Sequence, residues 1–183
     1  MTQPGSVSPV APFGYPDDLV VDLAVSDGRR VHVRPILPGD APAVADAIAS
    51  ADAETLRLRF LGWKPVLDDA TLSHLVEVDY RTRLALIAFD QNGQGVGIGR
   101  YEGSEDNDEA EIAVAVSPGW RRIGLGTALL ELLGGAAARN GIHRFRALYL
   151  PDNDEVVGLI RASTLPHRGT VIRGVAEVVL ELP

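Results

Sequence analysis

Two periodicities alternate along the chain. "LVVDLAV" (19–25) and "RRVHVRPI" (29–36) alternate β-branched and polar residues on either side of "SDG", which predicts a hairpin. "PGD" then leads into the Ala- and Leu-rich stretch 41–62. Its 3.6-residue period predicts two short helices with a break near Ser50 and Asp40 capping the first. "DDATLSHLVEVD" (68–79) repeats that period through Leu72, Leu75 and Val76, with an aspartate at its start. The chain then turns to strands: "TRLALIAFD", "VGIGRYEG" loosened by Gly97 and Gly99, and "EIAVAV" after an acidic loop. "GLGTALLELLGGAAARNG" (124–141) predicts a helix with a stripe of Leu125, Leu129, Leu132, Leu133 and Ala136, and Gly134 and Gly135 permit close packing in its middle. "GIHRFRALYL" predicts a strand, "DNDEVVGLIRAS" a short helix capped by Asp152 or Asn153, and "VIRGVAEVVLELP" one or two closing strands. This order predicts a single α+β (mixed α/β) domain around one sheet.

Composition narrows the classes. The 183 residues are 46% hydrophobic, enough for one sizeable core. No apolar run reaches the roughly 18 residues of a membrane span, and the start lacks the charged-then-apolar order of a signal peptide. Residues 1–18, rich in Pro, Gly and Ser, read as a flexible leader, with the domain over 19–183. With no cysteine, disulfides, thiolate metal sites and a cysteine nucleophile are excluded, and a cytoplasmic location is expected. A net charge of -8 argues against a broad nucleic-acid surface but leaves room for a cationic partner or a local basic pocket. Lys64 is the only lysine, so self-modification on lysine is confined to one side chain.

At "WRRIGLG" (120–126) a strand hands over to a helix through two glycines behind two arginines. The first amides of a helix have no intrahelical partner and carry roughly half a positive charge from the dipole. Glycines let an anion approach that backbone closely. The same residues also suit a tight connection with no ligand. Walker A requires Gly-Lys-Ser/Thr, and no lysine lies here. The dinucleotide fingerprint requires a third glycine where Leu129 stands, and Gly95, Gly97 and Gly99 fail the same test.

The remaining pattern, Arg/Gln-x-x-Gly-x-Gly/Ala, is filled by Arg121, Gly124 and Gly126, and it resembles the pyrophosphate loop of the GNAT acyl-CoA-dependent N-acetyltransferases. "EIAVAVSPGWRRIGLGTALLELL" is similar to that superfamily's core strand, loop and helix. "RFRALYLPDNDEVVGLIRAS" is similar to its next strand and helix, and "RVHVRPILPGDAPAVADAI" to its opening. "LRLRFLGW" and "LVEVDYRTRLALIAF" resemble a bacterial subgroup of protein lysine acetyltransferases. The resemblance spans about Val20 to Pro183. It implies a mostly antiparallel sheet split in a V between two neighbouring strands, with helices on both faces. It also implies acetyl-CoA as the donor. The backbone of Val114 and Val116 would extend to the pantetheine arm. Amides of Arg122, Ile123, Gly124, Leu125, Gly126 and Thr127 would hold the pyrophosphate, beside Arg121. Asn153 would contact the far side of the cofactor.

Acetyl transfer needs a neutral amine, so a lysine with pKa near 10 must first lose a proton. Glu111 is the candidate general base. Alternation puts Glu111, Ala113 and Ala115 on one strand face and Ile112, Val114 and Val116 on the other. A carboxylate opening an apolar strand is expected to be partly desolvated. The subgroup also resembles this chain in placing a glutamate there. Glu109 is the fallback, and a solvated strand-end charge is the plain reading of both. The tyrosine that many family members carry seven residues after the asparagine is Ile160 here. Tyr149 is a substitute acid, and a thiolate of pKa near 8.5 also leaves unaided. His32, His74, His143 and His167 lack metal-ligand spacing, so no metal is expected and structural or surface roles are assigned. Ser163 and Thr164 lack a nucleophile motif, and Trp63 and Trp120 read as packing residues. The acidic run 102–111 is a solvated loop or an attractor for a cationic acceptor.

These readings converge on an acetyl-CoA-dependent N-acetyltransferase with a protein lysine acceptor. A small amine is the alternative acceptor. A catalytically weak acyl-CoA-binding regulatory module is the alternative of another class. It is favoured by Ile160 and by the slack segment "STLPHRGTVIRG". No nucleic-acid or membrane partner is expected.

Overall fold

The computed structural model describes residues 12–59, 61, 66–104 and 108–183. Trp63, Lys64, Glu105 and Asp106 lie outside the described residues, as does most of the stretch read as a leader. The strands are β1 Val21–Ala24, β2 Arg30–Pro35, β3 Arg83–Phe89, β4 Gly95–Gly103, β5 Glu109–Val116, β6 Arg144–Tyr149, β7 His167–Ile172 and β8 Val175–Glu181. The helices are α1 Ala41–Ser50, α2 Ala53–Arg59, α3 Asp69–Val76, α4 Leu125–Arg139 and α5 Asp154–Ala162. The strands form one sheet in the order β1-β2-β3-β4-β5-β6-β8-β7. Every pairing is antiparallel except β5 with β6.

β3 explains how helices come to lie on both faces. Its run "LALIA" is buried throughout, as a strand covered on both sides must be. Leu84, Leu86 and Ala88 join Leu125, Leu129 and Leu133 of α4. Ala85 and Ile87 join Val44 of α1 and Val76 of α3 on the opposite face. In α4, Leu130 is buried along with Leu125, Leu129, Leu133 and Ala136, whereas Leu132 is only partly covered. The helix therefore buries a wider arc than the predicted stripe.

Gly97 and Gly99 do more than loosen β4. They let α4 settle onto it: a Cβ on Gly99 would stand 2.8 Å from Leu133 Cδ1, and one on Gly97 would stand 3.2 Å from Leu125 Cδ2. Gly99→Val is expected to lower stability by about 1–3 kcal/mol through overpacking. Thermal denaturation checks this, and an unchanged melting temperature would contradict the close approach.

Several local expectations hold and two are corrected. The break after Ser50 is present. Asp68 caps α3 by accepting from Thr71 N at 2.8 Å. Asp40 does precede α1, but its side chain caps nothing there. Its carboxylate instead takes two guanidinium bonds from Arg34, at 2.7 and 2.8 Å, and one from Leu37 N at 2.7 Å. A charge-assisted fork outcompetes a neutral amide for the same oxygens. The segment read as slack is a strand, β7, exposed along its length at the sheet edge. It joins β8 through Arg173 and Gly174, both at positive φ (51° and 82°), the turn geometry that matches strand twist. Within the stretch read as a leader, Tyr15 already packs edge-on against Tyr80, with ring centroids 5.4 Å apart. No helix among the described residues is long and apolar enough to cross a membrane.

The sheet opens at one place. β5 and β6 are in register at Glu109 with Arg144, Ala110 with Phe145 and Glu111 with Arg146. Beyond Glu111 the strands part, and β5 runs on to Val116 and β6 to Tyr149 without pairing. This is the expected V.

Candidate active site

The parted strands enclose a cleft of about 470 Å³, lined by β5 from Ile112 to Val116, by β6 from Ala147 to Tyr149, by the turn into α4 and by α5. The ladder decides which backbone groups face it. Ser117 N donates to Val96 O at 2.9 Å, so in the β4–β5 register Ala115 and Ala113 also turn their amides to β4. Val114 and Val116 therefore aim theirs into the opening. On β6, Leu182 N donates to His143 O at 2.9 Å, which turns the backbone of Leu148 towards the same opening. A flexible amide-bearing arm laid here meets an unpaired strand edge on each side.

The turn into α4 leaves the first amides of the helix unpaired. Arg122 and Gly124 both adopt positive φ (60° and 87°). Ala128 N donates to Gly124 O at 3.0 Å, and Gly124 provides no side-chain cap. The amides of Leu125, Gly126 and Thr127 thus have no acceptor within the helix. Arg122, Gly124, Gly126 and Thr127 line the cleft. Ile123 and Leu125, expected beside them, are not among the residues lining the cleft: Leu125 is fully buried and Ile123 packs against the core. Ile123 O accepts from Ser26 N at 3.0 Å, which anchors the turn to the first hairpin.

Two predicted cofactor residues have structural duties. Arg121 reaches the cleft wall, but its guanidinium donates to Val116 O (2.8 Å), Glu155 (2.7 Å) and Thr55 Oγ1 (3.2 Å). It is a strut joining β5, α5 and α2. Asn153 also lines the cleft. Its side-chain oxygen accepts from Val156 N at 3.1 Å, capping α5, and the residue is buried.

Glu111 stands at the last paired position before the split. Its side chain lies on the other face of the sheet, on a second cavity of about 340 Å³ lined by His74, Leu75, Arg100, Glu102, Glu111 and Ala113. Glu111 is exposed, so the partial desolvation expected from its sequence position is not found. Its backbone is paired in the sheet, but among the described residues its carboxylate makes no hydrogen bond or ion pair. Glu109, the fallback, sits between Arg144 (3.5 Å) and Arg146 (3.6 Å). Ala113 borders both cavities. Tyr149 and Ile160 both line the cleft.

Sequence reasoning missed Thr55 and Leu58 of α2, which close one side of the cleft. It also missed the cluster beside Glu111. There Glu102 pairs with His74 (2.9 Å), Arg100 (3.1 Å) and Arg83 (3.5 Å). Burial holds the Arg100 guanidinium below its usual pKa, against the pull of Glu102, with a smaller upward contribution from Glu111. A strand arginine and a helix histidine carry no local signal that they will meet. Among the described residues no group of His, Asp and Glu is arranged to hold a metal.

Comparison with known proteins matches this geometry. A family model described as an acetyltransferase (GNAT) domain matches residues 81–160, from just before β3 into α5. A Pseudomonas aeruginosa protein named as an acetyltransferase is 31% identical over 133 residues, covering 71% of this chain and 70% of that protein. The acetyltransferase Pat of Mycolicibacterium smegmatis is 30% identical over 136 residues, 73% of this chain but only 40% of Pat. The crystal structure of the GNAT domain of S. lividans PAT superposes with a TM-score of 0.83 at 26% identity, covering 92% of this chain and 99% of that one. With that family model running from β3 into α5 and a named acetyltransferase 31% identical and covered over 70% of its length, the chain belongs to the GNAT acetyltransferase family.

Proposed function

We propose that this acyltransferase moves an acetyl group from acetyl-CoA to a primary amine, a protein lysine side chain, by direct attack with Glu111 as general base. The observation that carries the reading is the meeting of the two cavities at Ala113. A donor lying in the split presents its thioester near the end of strand pairing, and an amine entering from the other face passes Glu111 first. The turn amides from Arg122 to Thr127 receive the diphosphate, and the backbone of Val114 and Val116 pairs with the donor's arm. Glu111 accepts the ammonium proton, directly or through water. The neutral nitrogen attacks the thioester carbon and gives up its second proton to solvent, the C–S bond breaks, and the thiolate leaves to be protonated by solvent or by Tyr149, the phenol lining the cleft. The lysine assignment rests on the subgroup resemblance and on the exposed Glu111 carboxylate at the acceptor-side cavity.

A second reading, binding of acyl-CoA without turnover, has Ile160 in its favour, since an alkyl side chain lines the cleft where many relatives carry a phenol. One experiment separates the two. Free thiol is followed with acetyl-CoA and a panel of amino-terminally blocked lysine peptides, lysine-bearing proteins and small amines. Turnover strongest with the lysine peptides or proteins is the expected result. Turnover with small amines alone overturns the lysine assignment. Calorimetric binding of CoA without turnover on any acceptor overturns the enzymatic reading in favour of the second.

A further inference from the structure

Glu102 and Glu111 stand directly opposite each other on β4 and β5. Like charges so placed repel. Yet one of the two is gripped and the other is not. One oxygen of Glu102 faces His74 Nε2 at 2.9 Å and Arg83 Nε at 3.5 Å, and the other faces Arg100 at 3.1 Å. Arg100 shares their sheet face and is 8% exposed. A buried guanidinium without a carboxylate is costly, so it must pair with whichever one is in reach.

We propose that Glu102 is a positioning residue for the reaction: by holding the Arg100 guanidinium, it keeps that cation off Glu111 and leaves the Glu111 carboxylate open to the incoming amine. This rests on the reading of Glu111 as the base. The charged groups facing Glu111 are His74 from α3, Arg83 from β3, Arg100 and Glu102 from β4, and Arg146 from β6. Arg146 is itself engaged with Glu109 at 3.6 Å and Glu177 at 3.4 Å. With Glu102 neutralised, Arg100 turns to Glu111, which is then both occupied and weakened as a base.

The test is the pH profile of kcat/KM with acetyl-CoA and a blocked lysine peptide. A base works deprotonated, so the rate rises with pH through its titration. In Glu102→Gln an anion is lost and a cation moves closer, and both favour the charged carboxylate. The acid limb is expected to move down by about one pH unit, and the plateau to fall about tenfold as the base weakens. Glu102→Asp should keep the wild-type limb. Adding Arg100→Gln to Glu102→Gln should bring the limb back up, and a limb that stays down overturns the role given to Arg100. An unmoved limb in folded Glu102→Gln, with activity lost in Glu111→Gln, overturns the positioning role and leaves the base intact. Full activity in Glu111→Gln overturns the base reading itself. Should Glu102→Gln fail to fold, Arg100→Gln alone is read. Its limb is expected to rise, because Glu102 and Glu111 then face each other unshielded, and an unmoved limb overturns the proposal.

Discussion

Glu111→Gln is expected to lower kcat about 100- to 10,000-fold, the usual contribution of a positioned proton acceptor, with CoA affinity unchanged. The two effects separate because the side chain and the donor site lie on different faces of the sheet. Glu111 lines the cavity with His74 and Glu102, whereas the turn proposed to take the diphosphate lines the cleft between β5 and β6. Glutamine preserves size and the ability to hydrogen-bond but takes up no proton at neutral pH. Glu109→Gln should cost far less, since Glu109 is already held by Arg144 and Arg146. Steady-state kinetics with calorimetric CoA titration measures both terms. A variant with wild-type kcat would remove Glu111 from the chemistry. A parallel fall in CoA affinity would mean that the substitution has disturbed the split itself.

Gly124→Val is expected to weaken CoA binding about 100-fold while leaving the fold in place. Gly124 sits at φ 87° with nothing within 4 Å of a built Cβ. The new side chain thus meets no neighbour and projects into open space at the cleft lining. A left-handed β-branched residue costs about 1–2 kcal/mol, which the turn relieves by rotating its amides away from their common target. Losing one or two charge-assisted hydrogen bonds, at about 1.5–3 kcal/mol each, accounts for the predicted loss, because every 1.4 kcal/mol is tenfold. Isothermal calorimetry with CoA reads it, beside a thermal melt. Unchanged affinity would mean that the diphosphate is held elsewhere.

The parts of the site legible in the sequence were those written in neighbouring residues. The period of two in "EIAVAV" put Glu111 on the face opposite Val114 and Val116, and the register agrees. The glycines of "RRIGLG" marked a strand-to-helix turn, and the turn is there, uncapped. Less legible were the side chains that have several possible partners. Asp40 looked like a helix cap and is an ion-pair partner of Arg34. Arg121 looked like a charge for the phosphate and is a strut to Thr55 and Glu155. Asn153, expected both as a cap of α5 and as a cofactor contact, does cap α5 and also lines the cleft. Each of these side chains had at least two plausible hydrogen-bond partners, and only the packed geometry selects one.

By itself, the order of residues along this chain determined the elements, the faces of each strand and the uncapped helix start, because periodicity and missing cap residues act within a turn or a strand. Only the folded sheet decided where β5 and β6 part, that Ala113 borders both the cleft and the second cavity, and that Glu102 rather than Glu111 holds Arg100. Those outcomes depend on strand register and on side chains from α3, β3 and β4 converging. Contacts of that kind are chosen by burial and charge in three dimensions, where neighbours in space need not be neighbours in sequence.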